Sequence, residues 1–224
     1  AGKVPAGVDD KRLRATFEVV DIARLDHFRG FEAYWEVPGG KVTAEKGRWV
    51  KGPGAAFFES VRAALGALPM VAEDLGLVTP EVLALRDGFG LPGMRILQFA
   101  FEKDALSPFL PHNFPTNCVV YTGTHDNDTT RGWYASAPEK QRHFARSYLG
   151  CEDGDFTWEL LRAGMASVAD RFIAPLQDVL DLGPEARMNL PGSLGGNWGW
   201  RFRREQVTDA VRDRLLDLTE TYGR

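Results

Sequence analysis

The stretch LPMVAEDLGLVTPEV, residues 68–82, decides the fold. Leu68 to Asp74 is a short apolar run closed by two acids. Thr79-Pro80-Glu81 then opens a helix, with Thr79 at the N-cap and Pro80 at the first helical position. An apolar strand with acids at its C-terminal tip and a helix after it is one βα step of a parallel sheet.

The same step recurs on both sides. Lys11 to Val20 has helical spacing, with Leu13, Phe17 and Val20 on one face and Asp9 or Asp10 as N-cap. Val19 to Asp26 (VVDIARLD) then predicts a buried strand that delivers polar residues at its tip. Gly54–Leu65 predicts a helix, Met94–Phe101 a third strand and Cys118–Gly123 a fourth, followed at once by Thr124-His125-Asp126-Asn127-Asp128. Pro138–Tyr148 and Trp158–Ala169 predict helices, Phe172–Gln177 a fifth, weaker strand interrupted by Pro175, and Asp209–Tyr222 a closing helix. Strands alternating with helices give the α/β class. Polar residues at strand C-termini favour a barrel over a doubly wound sheet, although periodicity alone does not separate the two. Five strands are too few to close an eight-stranded barrel.

Composition bounds the function. The chain has 224 residues, 44% of them apolar and 26% charged, as in an ordinary water-soluble domain. No apolar run is long enough to span a bilayer. A net charge of −4 without a block of like charge argues against nucleic acid as a partner. Cys118 and Cys151 have no metal-like spacing, and so sparse a use of cysteine fits a reduced, cytoplasmic location. The opening AGKVPAGVDD has neither a signal-peptide layout nor an initiator Met, so the expectation is a chain that begins partway through a longer one.

Three predicted strand tips end in acid: Asp26, Glu73 and Asp126. Neighbouring parallel strands would bring such tips to one face. Clustered carboxylates shift one another's proton affinity, so that one stays protonated while another stays ionised. Retaining glycoside chemistry needs that division of labour between two carboxylates roughly 5–5.5 Å apart. Arg24 lies two residues before Asp26, on the same strand face, where a cation keeps Asp26 ionised and oriented. Metal binding is the competing use of an Asp/Glu/His cluster, but no H-x-x-x-H or H-E-x-x-H spacing exists, and no metal is expected.

Several long segments are recognisable in order. RLDHFRGFEAYW (24–35) resembles the nucleophile segment of the amylomaltases, the disproportionating enzymes of glycoside hydrolase family 77, and VAEDLGLVTPEV (71–82) resembles their acid/base segment. GLPGMRILQFAF (90–101), PHNF (111–114), VVYTGTHDNDTTRGWY (119–134), EARMNLPG (185–192) and GNWGWR (196–201) follow in the family's order.

The resemblance implies Asp26 as nucleophile, Glu73 as general acid and base, and Asp126 as the residue that binds donor hydroxyls and stabilises the oxocarbenium-like transition state. It implies Arg24 as the residue that steadies the nucleophile and His125 as a donor-site hydrogen bonder. His27, Trp133 and Trp198 are further substrate-binding candidates, with Tyr134 and Trp200 as candidate aromatic walls. The implied reaction transfers alpha-1,4-glucan segments from a maltooligosaccharide donor to glucose or a maltooligosaccharide acceptor, with no cofactor, since two carboxylates and a stabiliser complete the chemistry. The alternatives are an alpha-glucan hydrolase of the alpha-amylase clan, or an inactive fragment or half of a split enzyme. The implied fold is a partial (β/α)8 TIM barrel. Residues 1–224 would form its C-terminal half, approximately strands four to eight with their helices, without the early strands and inserted subdomains.

Overall fold

The computed structural model describes residues 8–224, with side chains from residue 11 onward. The chain divides into two compact units, Ala1–Met94 and Arg95–Arg224. Both mix helices with short strands.

The first unit contains helix α1 (Val8–Phe17), strand β1 (Ala23–Leu25), the single turn α2 (Arg29–Glu32), strands β2 (Ala33–Glu36) and β3 (Arg48–Lys51), helix α3 (Ala55–Leu65), strand β4 (Met70–Ala72) and helix α4 (Pro80–Gly88). β1 and β4 pair in parallel, with Ala23 opposite Met70, Arg24 opposite Val71 and Leu25 opposite Ala72. β4 is buried along its whole length, and beyond it Ala72 N–H donates to the Pro92 carbonyl at 2.9 Å. Phe28, Phe58, Val61, Met70, Ala72, Val82 and Leu91 make the core, with Leu13 and Phe17 of α1 packed against it. Each such fully buried large apolar side chain contributes about 1.5–3 kcal/mol.

Two expectations in this unit are corrected. The strand predicted over Val19–Asp26 is only Ala23–Leu25, and Val19, Val20 and Ile22 are exposed. The N–H groups of Val19 and Val20 both donate to the Thr16 carbonyl, so these residues finish the exit turn of α1 instead of starting a strand. α1 also starts before Asp9 and Asp10, whose side chains lie outside the described residues. The hairpin β2–β3 was not predicted; its strands are antiparallel and set Trp35 opposite Trp49, rings in edge contact at 5.3 Å.

In the second half of the chain, β5 (Gly93–Ile96), β6 (Cys118–Tyr121) and β7 (Arg171–Ile173) form a three-stranded sheet in that order. β6 and β7 are parallel, with Val120 opposite Phe172. The predicted third strand stops at Ile96 because Leu97–Phe99 turns into a 3-10 helix. The fifth stops at Ile173, and Pro175 caps the short helix α8 (Leu176–Val179), as a residue without an N–H and with fixed φ suits. Helices α5 (Thr130–Ser136), α6 (Glu139–Leu149), α7 (Phe156–Met165) and α9 (Asp209–Tyr222) complete the unit. α7 is its centrepiece, burying Phe156, Trp158, Leu160, Leu161 and Met165. The side chains of Thr129 and Thr208 cap α5 and α9. Among the described residues, no helix is long and apolar enough to cross a membrane.

Candidate active site

In the first unit the register of β1 and β4 decides the geometry. Leu25 lies opposite Ala72, so Asp26 and Glu73 are the next residues on two neighbouring parallel strands. Such strands run about 4.8 Å apart. The ladder continues one step past the strands: Glu73 N–H donates to the Leu25 carbonyl and Phe28 N–H to the Glu73 carbonyl, both at 3.0 Å. His27, between Asp26 and Phe28, has φ 47°, a left-handed conformation that turns its own N–H toward Glu73. That N–H donates to Glu73 Oε2 at 2.7 Å, while Leu75 N–H donates to Oε1 at 3.0 Å. Glu73 is therefore oriented by two main-chain donors, and each carboxylate oxygen keeps a second lone pair for chemistry. Arg24 pairs with Asp26 at 2.9 Å, and its Nε donates to Met94 Sδ at 3.3 Å. The pair is solvent-exposed, so its value lies in orientation rather than stability.

Asp74, adjacent to Glu73, does the opposite work. It is 6% exposed, one oxygen accepting Met94 N–H at 2.7 Å and the other bonding to the Arg86 guanidinium. Gly93 presses against this carboxylate; a Cβ there would stand 2.5 Å from Asp74 Oδ2. Asp74→Ala removes the buried acceptor of the Met94 N–H and of one edge of the Arg86 guanidinium, leaving Arg86 only its more exposed partner Asp87 at 2.7 Å. We expect it to cost about 3–5 kcal/mol, the usual penalty for breaking a buried pair, read as a lower urea midpoint.

In the second unit the loop between β6 and α5 carries His125 and Asp126. Asn127 Oδ1 accepts from both the N–H and the hydroxyl of Thr124 at 2.9 Å, closing a tight turn. His125 Nε2 lies 3.5 Å from Asp126 Oδ1. Asn189 Nδ2 donates to Asp126 Oδ1 at 2.5 Å and Arg187 donates to the Asp126 carbonyl at 2.6 Å. Trp198, at φ 60° and 54% exposed, lays its ring 5.1 Å from that of His125. Its N–H donates to the Met188 carbonyl at 2.7 Å, which folds residues 188–198 back on themselves.

The structure thus gathers Arg24, Asp26, His27 and Glu73 in the first unit and His125, Asp126 and Trp198 in the second. Trp133 stands apart. Its half-buried ring lies against Phe101, Tyr134 and Phe156 at the edge of the hydrophobic core. Tyr134 stacks on Phe156 at 4.0 Å and bonds through its hydroxyl to Asp153 and Arg146; burial raises its phenol pKa. Trp200 stacks on Phe202. Arg187 and Asn189 were missed as site residues although both lie in the EARMNLPG segment. Among the described residues no group of three or more His, Cys, Asp or Glu is arranged to hold a metal.

Comparison with known proteins bears on the same residues. The chain is 52% identical over 217 residues to a 4-alpha-glucanotransferase of Synechocystis sp. and 49% identical over 222 residues to that of Thermus thermophilus, each alignment covering 96% of this chain. It is 44% identical to a chloroplastic/amyloplastic 4-alpha-glucanotransferase of Arabidopsis thaliana. The chain spans less than half the length of these relatives: 43%, 44% and 38%. The amylomaltase of Streptococcus agalactiae, solved in complex with acarbose, superposes with a TM-score of 0.92 at 36% identity over 96% of this chain and 44% of that one. The amylomaltase of Corynebacterium glutamicum, at 17% identity and a TM-score of 0.72 over 94% of this chain and 37% of that one, shares the fold. Residues 10–208 match the family model described as 4-alpha-glucanotransferase, a span that takes in both acid-bearing strand ends and the His125–Asp126 loop; the chain belongs to that family.

Proposed function

We propose that the protein containing this chain transfers alpha-1,4-glucan segments between maltooligosaccharides by a retaining double displacement. The observation that carries this reading is the pair Asp26 and Glu73 at the ends of adjacent parallel strands inside the family match. A strand spacing of about 4.8 Å suits the roughly 5–5.5 Å between carboxyl groups that a retaining enzyme uses.

In the first step the Asp26 carboxylate attacks the anomeric carbon. Glu73, protonated, gives its proton to the departing glycosidic oxygen, and the reducing-end piece leaves. In the second step Glu73, now a carboxylate, takes the proton from the 4-hydroxyl of an acceptor sugar as that oxygen attacks the anomeric carbon and frees Asp26. Two inversions give net retention. Arg24 keeps the nucleophile oriented, Asp126 binds donor hydroxyls and stabilises the transition state, and His125 hydrogen-bonds the donor. His27 serves the site through its main chain, and the exposed ring of Trp198 offers an apolar face to sugar. The acarbose bound by the Streptococcus agalactiae amylomaltase fits a glucan-shaped site in this family. No cofactor enters these steps. We place the chain as the later half of a (β/α)8 barrel, approximately its fourth to eighth strands, and in the cytoplasm, which its sparse use of cysteine suits.

Incubating the complete polypeptide with maltotriose tests the reading. Oligosaccharides longer than the substrate are expected, formed with little new reducing sugar. Release of glucose and maltose without elongation would make it a hydrolase instead.

A further inference from the structure

Asp178 is a buried carboxylate that none of the steps above uses. It sits in α8 at 1% exposure. Its Oδ2 accepts the hydroxyls of Thr122 at 2.5 Å and Thr130 at 2.8 Å, and its Oδ1 accepts Thr130 N–H at 2.7 Å. Thr122 directly follows β6 and Thr130 opens α5, and both are fully buried. The two residues are the ends of the loop that carries His125 and Asp126. One carboxylate therefore ties both ends of that loop together. Gln98, also 1% exposed, supports it from within by donating to the Asp128 carbonyl at 3.0 Å.

The chemistry of the three contacts explains why an acid stands here. Three donors converge on one point, and an ionised carboxylate is the side chain that only accepts. Burial raises the Asp178 pKa above the ordinary carboxylate value, while the bonds from Thr122 and Thr130 pull it back. A group kept in the interior against that desolvation, and bonded to both loop ends, is suited to fixing the loop's span.

We propose that Asp178 is a positioning residue for the transfer reaction: by clamping Thr122 to Thr130 it holds His125 and Asp126 in place for the donor sugar. This rests on the function proposed above. The test uses the complete polypeptide with Asp178→Ala and Asp178→Asn. Alanine leaves all three donors unpaired. Asparagine keeps an acceptor for Thr130 N–H and offers an amide that the hydroxyls accept. With maltotriose, the alanine variant is expected to lose about 10²-fold in kcat, the scale of a small misplacement of reacting groups, with KM changing far less. The asparagine variant is expected to recover most of that loss. Amide hydrogen exchange at residues 123–129 is expected to accelerate in the alanine variant ahead of the rest of the unit.

A folded alanine variant with unaltered kcat would overturn the inference, as would lost kcat with unaltered exchange in that loop. Should the alanine variant not fold, Thr122→Val, which removes one anchor, and Thr122→Ser, which keeps the hydroxyl, decide the matter. Loss with valine and recovery with serine support the clamp, and equal activity in both refutes it. If the unsubstituted protein makes no product longer than maltotriose, the transfer reading itself falls, and the catalytic part of this inference falls with it. The exchange measurement still reports whether Asp178 orders the loop.

Discussion

Asp26→Asn is expected to abolish glucan transfer, by about 10⁴-fold or more in kcat, as removal of a covalent nucleophile does elsewhere. An amide oxygen is a poor nucleophile and gives no stable glycosyl ester. The substitution also takes the anionic partner from Arg24, which sits 2.9 Å from the Asp26 carboxylate. Asp26 is an exposed side chain at a strand end, so the fold loses little, and glucan binding through the remaining contacts survives. Chromatography of maltotriose digests reads the first outcome and calorimetric titration with an unreactive oligosaccharide reads the second. Normal product formation by this variant would refute the nucleophile assignment.

Glu73→Gln has a different signature. It removes the proton that the leaving oxygen takes up and the base that activates the acceptor, so transfer from natural glucans is expected to fall about 10²–10⁴-fold. A donor with an activated leaving group, such as a glycosyl fluoride, needs no protonation, so formation of the covalent intermediate should be largely restored. Release of that intermediate should then accelerate with azide, an anion that needs no base. The amide also meets the two main-chain donors that hold Glu73, those of His27 and Leu75. One of these N–H groups then faces an NH₂, and some displacement accompanies the chemical loss. Equal losses on natural and activated donors would place Glu73 outside the proton transfers.

The legibility of this chain in its sequence follows from what each type of signal measures. Apolar runs ending in acid marked β1, β4 and β6, because burial and strand period are written in side chains. Their lengths were overestimated where hydrogen bonds intervened. Val19 and Val20 are as apolar as a strand requires, but their N–H groups had already gone to Thr16. The hairpin β2–β3 escaped notice because residues 37–47 separate its strands, too long a loop to give a turn signal, and Trp35 and Trp49 were its only strong cue. Trp133 lies in a segment recognisable by family, but only the fold reveals that one side of its ring packs on the core. The acids were the most legible part of the site, but sequence could not say how Glu73 and Asp74 divide their labour. Successive side chains on a strand leave opposite faces, and only the fold reveals that the Asp74 side is filled by Arg86 and the Met94 amide.

The peptide group between Asp26 and His27 has a consequence for how this site can change. Its carbonyl end belongs to the residue that carries one acid, and its N–H end grips the other, aided by the left-handed turn at His27. The two acids therefore behave as a single machined part. A shift in the backbone beneath one is felt by its partner, so their separation is a dimension that drift elsewhere in the molecule leaves alone.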